Sequence, residues 1–372
     1  MYELQDVNKE IKKSLKKVGI ENKSSGSYVL DNENIFLNLI NECYKKKLVI
    51  TDIRVGLKKY PWIKKYFWKL IEKNENNLTK KINNDLNGGY FIWIKKDAKI
   101  NLPISSCLLI SSDNYEQKVH NLIIAEEGSE AKILTGCTEH NYVNNAKHIG
   151  LTEIFLEKNA KLNFTMVHSW KEDAIVRPIT RVELKEKSEF VNNYVCLTKV
   201  KDIKMNPKII CKGKNSKAIS NSIIFSKKDS SIDIGTTIDL MGENSKGEIK
   251  SRVVGSGSSK TIVRGRLNGK NKCKGHMECN GILISKDASI HAIPELDAKN
   301  NKAELSHEAS VGKINQKEID YLMTRGLSKE NATNLIISGF INANFLKLPK
   351  KIEKMISLVF KKHSNLTEKH II

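Results

Sequence analysis

The apolar residues of this chain change their spacing twice. Up to about residue 86 they follow helical spacing in a polar background. Asn34 to Lys47 carries Ile35, Leu37, Leu39, Ile40 and Cys43, which predicts an amphipathic helix with Cys43 in its core face. Tyr60-Pro61-Trp62 interrupts, and Ile63 to Leu86 resumes with Tyr66, Phe67, Leu70 and Ile71 on one face. At Gly88-Gly89 the period shortens, and Gly89 to Ile94 reads as a strand. After Gly312 helical spacing returns in Ile319, Leu322 and Met323, then in Leu335, Ile336 and Phe340. Asn315 to Glu318 has capping-box spacing, Ser328 can cap the next helix, and Pro349 suits the first turn of a third, running through Phe360. The chain thus divides into a helical region (1–87), a β region (88–312) and a second helical region (313–372).

Within the β region a short pattern recurs: a polar turn residue, a small residue, another polar residue, then usually an apolar one. It occurs at Asp97-Ala98-Lys99-Ile100, Glu130-Ala131-Lys132-Ile133 and Asn159-Ala160-Lys161-Leu162. Looser copies begin at Lys187, Asn215, Asp229, Asn244, Ser258 and Asp287. The spacing is roughly 28 to 33 residues early and about 14 to 15 later, with a double step before Asp287, as if each coil held two similar halves. Short strands and tight turns at that period predict a stacked solenoid, a right-handed parallel β-helix, in which small corner residues let neighbouring coils approach. A β-sandwich would not impose so regular a period.

Composition adds two constraints. The 372 residues carry a net charge of +21, which invites a nucleic-acid reading. The lysines are dispersed rather than clustered beside aromatics, so a general Lys, Asn and Ile bias accounts for the charge and no nucleic-acid partner is expected. No apolar run reaches the roughly 20 residues of a membrane span, and the charged N-terminus is no secretory signal. Seven scattered cysteines suit reduced thiols, hence a cytoplasmic location.

The stretch Asp287 to Phe340 joins the β and helical patterns. It holds Pro294-Glu295-Leu296, Ser306-His307-Glu308-Ala309, Gly312, Tyr321-Leu322, Arg325-Gly326 and Gly339-Phe340. In this order these residues resemble the C-terminal signature of the SufB/SufD family of iron–sulfur cluster assembly scaffolds. Gly88-Gly89-Tyr90-Phe91-Ile92, Gly136-Cys137-Thr138 and Val167-His168-Ser169-Trp170 extend the resemblance upstream. The resemblance implies a β-helix with helical ends, in agreement with the repeat. It implies a transient cluster rather than a stable cofactor, and a SufC-like ABC ATPase docking around Leu335, Ile336 and Phe340. It further implies a dimer with itself or with a paralogous scaffold subunit.

Several residues then become candidates, each with an ordinary structural alternative. Cys137 is either a strand-end core thiol or, by resemblance to the SufB branch, the sulfur acceptor, with His140 and His148 near enough in sequence to assist. Cys273 and Cys279 bracket His276 but lack the spacing of a zinc hook; on a strand the two cysteines share a face. Cys279 precedes an apolar run similar to one in the SufB branch and is favoured for that reason. His307 and Glu308 are adjacent, so on a strand they point to opposite faces. The resemblance makes Glu308 a cluster ligand in the SufB manner, with His307 the SufD-like option. One departure stands out: where the SufB branch has a ligand cysteine before His-x-x-Pro, this chain has Ala288 before His291-Ala292-Ile293-Pro294. Cys279 is the candidate replacement, His291 a weaker one.

Three classes of function remain in view. The leading one is a non-enzymatic scaffold served by a partner ATPase. The chain has no G-x-x-x-x-G-K-[S/T] loop of its own, and Gly255 to Lys260 reads as a turn. A β-helix carbohydrate-active enzyme is the second, but no Asp/Glu cluster stands out in the repeat. A nucleic-acid-binding protein is the third.

Overall fold

The computed structural model describes residues 9–20, 24–341, 352–354 and 356. Helix α1 (Lys9–Lys17) precedes strands β1 (Gly26–Asp31), β2 (Asn34–Ile40) and β3 (Leu48–Asp52), followed by helices α2 (Ile53–Lys59) and α3 (Asn77–Asn84). The body runs β4 (Tyr90–Ile94), β5 (Ile104–Ile110), β6 (Glu116–Ala125), β7 (Glu130–Glu139), β8 (Lys147–Leu156), β9 (Lys161–Ser169), β10 (Ile175–Leu184) and β11 (Glu189–Cys196). It continues with β12 (Asp202–Met205), β13 (Lys208–Cys211), β14 (Lys217–Ser226), β15 (Ser231–Leu240), β16 (Ser245–Gly255), β17 (Lys260–Gly269), β18 (Cys273–Leu283), β19 (Ser289–Ala298) and β20 (Ala303–Lys313). Helices α4 (Gln316–Thr324) and α5 (Lys329–Ile341) follow.

These strands build a parallel β-helix of about 8 turns with helices at both ends. One sheet runs β2-β1-β5-β7-β9-β11-β14-β16-β18-β20; the other runs β19-β17-β15-β12-β10-β8-β6-β4-β3, with β13 beside β10 and β15. Alternate residues of each strand face inward, and the two inner faces form one continuous apolar core from Tyr28 to Cys279.

The repeat read from the sequence is the corner of each coil. Asp97, Gly128, Asn159, Lys187, Asn215 and Asn244 all adopt left-handed φ between 55° and 67°, one per coil. Each is followed by a small buried residue: Ala98, Ser129, Ala160, Ser188, Ser216 and Ser245. At the opposite corner Ala146 stacks on Ala174, and Ser230, Ser259 and Ala288 stack in turn, with Lys201 between the two groups. Two corners per coil produce the half-period. The copy assigned to Glu130-Ala131 is displaced: the left-handed residue of that coil is Gly128, and Ser129 is the small one.

The N-terminal region departs from the helical expectation. Asn34 to Lys47 is strand β2 and a short 3-10 turn, and Cys43 on that turn is exposed. Ile35, Leu37 and Leu39 also fit a period of two, and left-handed Asn32 closes a tight turn that folds β2 back on β1. β1 pairs in parallel with β5, so the first sheet begins near Gly26 rather than Gly88. Ile63 to Leu86 is likewise no continuous helix. Pro61 opens a 3-10 turn, and Trp68 takes φ 62°. The buried Glu153 carboxylate then accepts the backbone N–H groups of Trp68, Leu70 and Ile71 at 2.7, 2.5 and 3.2 Å. That carboxylate also accepts from His120 Nε2 at 2.9 Å, so strand β8 holds this segment against the second sheet.

At the other end, Asn315 caps α4 by accepting from Lys317 N–H rather than from Glu318 N–H as a capping box would, and the Ser328 hydroxyl accepts from Asn331 N–H, as expected. Most of the expected third helix lies outside the described residues; Ile352 and Ile356 are buried with α1 and α5 against the outer face of the first sheet.

Two glycines of the matched motifs answer to close approach. Gly89 has φ 139°, and a Cβ there would lie 2.3 Å from the His120 carbonyl oxygen. Gly136 lets α1's end pack on β7: a Cβ there would lie 2.2 Å from Val18 Cγ2 and 2.5 Å from Val18 Cβ. Gly136→Ala is therefore expected to cost about 1–3 kcal/mol. In a Val18→Gly background, which removes both the Cβ and Cγ2 contacts, it should cost clearly less, read by denaturant melts; equal costs in both backgrounds would refute the contact.

Candidate functional site

The interior is not uniformly apolar. In register across the first sheet run Leu108, Cys137, His168, Cys196, Ile224 and Val253, all inward and buried. Cys137 thus faces His168 of the next coil. His168 Nδ1 lies 3.0 Å from the Tyr194 hydroxyl, and its Nε2 is buried without a partner among the described residues. From the facing sheet His148 Nδ1 donates to Gln117 Oε1 at 3.0 Å and lies against Trp170, whose ring is 5.4 Å away. His140 is elsewhere: its Nδ1 meets Ser14 Oγ of α1 at 3.0 Å. The sequence reading named His140 and His148 as helpers of Cys137; the neighbour in register is His168. Its signal in the sequence is Val167-His168-Ser169-Trp170.

Burial governs the protonation of these groups. It pushes the Cys137 thiol well above the ordinary thiol range and the Cys196 thiol up to about 11. It pulls His148 down to about 4 and His168 down to about 3, the latter helped by His148. Cys137 is therefore a closed-in thiol rather than an exposed thiolate.

A second set lies at the last coils. Cys279 on β18 faces inward, 3% exposed, between Ser251 and Ala309 in register. Burial, and secondarily the adjacent Glu278 charge, push its thiol up to about 11. Cys273 faces inward on the same strand, as its even separation requires. On β20, His307 is in register with inward Met277, and Glu308 with outward Glu278. His307 therefore shares the inner face with Cys279, while Glu308 stands on the outer face. Among the described residues, three His, Cys, Asp or Glu side chains nowhere converge as a metal site. His291 is in register with outward Ile262 and faces away from Cys279. Ala288 is a buried corner residue stacked on Ser259, where the coil spacing needs a small side chain.

Beyond this coil no strand follows in either sheet among the described residues. Among the described residues the outer edges of β19 and β20 have no partner strand, and the inward-row residues Leu296 and Val311 are 39% and 40% exposed. On α5, Leu335 is 54% exposed and Ile336 half-buried; on and beside α4, Tyr321 and Met323 are exposed too. Phe340 is different: its carbonyl accepts from Arg252 at 2.6 Å and its ring packs on the β-helix. None of the described helices is long and apolar enough to cross a membrane.

A parallel β-helix flanked by helices, whose last coil no described strand covers and which has a cysteine one coil beneath, defines the class. The family model described as "SUF system FeS cluster assembly, SufBD core domain" matches residues 108–340. An iron–sulfur cluster assembly SufBD family protein of Archaeoglobus fulgidus is 40% identical over 349 residues, covering 93% of both chains. One from Methanothermobacter thermautotrophicus strain Delta H is 36% identical over 93% of this chain and 86% of its own. A Staphylococcus aureus (strain MRSA252) relative is 28% identical over 92% of this chain and 76% of its own. The chain belongs to the SufBD family, and its role lies in iron–sulfur cluster assembly.

The buried histidines generate a pH prediction. Their folded form favours the neutral ring, whereas the unfolded chain takes up protons near pH 6.5. Their contribution is present above about pH 6.5 and declines as pH falls toward about 4. Glu139, whose carboxyl burial raises to about 7, runs the other way, losing stability as pH rises from about 4.5. His148→Gln should therefore lower proton uptake on unfolding at about pH 5 by close to one, flattening the slope by about 1.4 kcal/mol per pH unit. An unchanged slope would show that His148 titrates normally in the folded protein.

Proposed function

We propose that this chain is a non-enzymatic scaffold on which an iron–sulfur cluster is transiently built, with a SufC-like ABC ATPase as partner, in the cytoplasm. The observation that carries the reading is the last coil, which no strand covers among the described residues. Its two unpaired strand edges and half-exposed Leu296 and Val311 invite association. We assign that surface to a second scaffold chain, this chain itself or a paralogue. The cluster is cargo, so an incomplete ligand set in one chain suits it: Cys279 and His307 on the inner face, Glu308 on the outer, completed across the interface. Thiolate supplies the strong iron ligand, and carboxylate or imidazole the weaker ones from which a cluster is released.

Cys137 is the proposed sulfur acceptor, in the manner of the SufB branch. Its burial requires the coil to open before a donor persulfide reaches it. The exposed part of the C-terminal helices, Leu335 with Tyr321 and Met323, is the proposed ATPase contact; Ile336 contributes its exposed half and Phe340 anchors the helix.

Anaerobic reconstitution with iron and sulfide tests the assignment. Cys279→Ala should abolish the absorption near about 400 nm expected of thiolate-to-iron charge transfer. Cys273→Ala and Cys43→Ala should leave it intact, and Cys137→Ala should block assembly only from a persulfide donor. Cys279→Ala binding iron and sulfide like the parent would overturn the ligand set. Light scattering at about tens of micromolar should find dimers; monomer alone would refute self-association. Leu335→Glu should weaken binding of a SufC-type ATPase by about tenfold without affecting reconstitution.

A further inference from the structure

On the outer face of the first sheet one row of charged residues runs the length of the solenoid. In register it reads Lys99, Glu130, Lys161, Glu189, Lys217, Lys246, Lys274 and Glu304. Over its first half the signs alternate, and Lys99–Glu130 and Lys161–Glu189 pair at 3.8 and 3.4 Å. From Lys217 the alternation fails, and three lysines follow one another on adjacent strands, about 4.8 Å apart. Lys274 is met by Glu304 at 2.7 Å, whereas Lys217 and Lys246 have no acidic partner among the described residues. Like charges set directly opposite one another cost stability. A sequence that alternates elsewhere in the same row therefore departs from its own rule here.

The departure coincides with a groove of about 610 Å³. Its floor is the backbone of Ala218, Gly247, Gly275 and Leu305, which are in register. The lysine row forms one wall, and Glu248, His276 and Ser306 form the other. His276 Nδ1 lies 2.9 Å from Ser306 Oγ, and Glu248 is turned to Lys250 at 2.5 Å.

We propose that this groove binds a small molecule carrying a di- or triphosphate group. Lys217, Lys246 and Lys274 would meet successive phosphates, and His276 and Ser306 would supply hydrogen bonds from the facing wall. Three considerations favour that class. The volume is that of a small-molecule site, on the usual scale of about 300–1,000 Å³. Lysine ammonium groups act as point charges toward phosphate. Glu248 and Glu304 bound the cationic strip on two sides, which disfavours a long polyanion that would run across them. The groove lies on the outside of the strands, near their first residues; its Ser306 stands two positions before Glu308 on the outer face of β20, while Cys279 and His307 are on the inner face.

Titration calorimetry of the full-length chain at about 0.1 M salt, where exposed charges more than about 10 Å apart are screened, decides the matter. Tripolyphosphate should bind one per chain and more tightly than pyrophosphate, which should exceed orthophosphate. ATP binding more tightly than tripolyphosphate would identify a nucleotide; equal binding would identify the phosphates alone as what is read. The double variant Lys217→Gln/Lys246→Gln should lose about tenfold or more in affinity. Lys99→Gln/Lys161→Gln, from the paired part of the same row, should change it by less than about twofold. All four side chains are exposed, so folding is not at issue, and circular dichroism verifies it. Equal loss in both double variants, several tripolyphosphates per chain, or equal affinity for a single-stranded oligonucleotide would reduce the effect to net positive charge and overturn the proposal. So would no tripolyphosphate binding.

Discussion

Hydrogen bonding between coils is the constraint on which everything else here rests. No coil of this chain can satisfy its own strand backbone; each N–H and C=O finds its partner one coil above or below. The coils must therefore keep a nearly constant length, and the corners must admit close stacking. Left-handed turn residues and the small residues after them meet both demands. The same constraint fixes which side chains meet, because residues in register on neighbouring strands form rows along the axis. The row of Cys137, His168 and Cys196 and the row of charged residues outside are products of that geometry rather than of local sequence.

The constraint also explains what happens at the two ends. At the start the chain ends the first sheet by folding β2 antiparallel onto β1, and it ends the second by placing β3 antiparallel on β4. Among the described residues the last coil has no such finish: no strand pairs with its edge, its inner row is half-exposed, and Cys279 sits one coil beneath. An interior thiol held neutral by burial becomes a ligand only where covering and uncovering can occur, and that holds at the end of the solenoid more than at its middle. Cys137, in the middle, needs a larger opening than Cys279 does.

Much of this was legible in the sequence because a solenoid writes its period directly into the chain. The corner pattern located the coils, and the even spacing of Cys273 and Cys279 put both on one face of the strand. The adjacency of His307 and Glu308 put them on opposite faces. What was not legible depended on contacts between distant segments. Ile35, Leu37 and Leu39 satisfy both a helical and an alternating period, and only pairing with β1 decides for the strand. Residues 63–71 have a helical pattern, but Glu153, more than eighty positions later, captures their backbone N–H groups. Cys137 met His168 through register, which needs coil lengths correct to one residue; the two-residue displacement at Gly128 shows how easily that is missed. The charged row was invisible for the same reason, since its members are some thirty positions apart.

The alternating half of that row bears on how the solenoid assembles. If a growing β-helix skipped a coil, Lys99 would be laid against Lys161 and Glu130 against Glu189, like against like. Alternation along the axis thus acts as a proofreading device, rejecting a missed coil while the stack is still forming. From Lys217 to Lys274 the device is absent: a coil omitted there meets the same charge as the correct one. Fidelity in that part of the chain falls instead on the apolar interior, and on the glycines whose missing side chains make room for their neighbours.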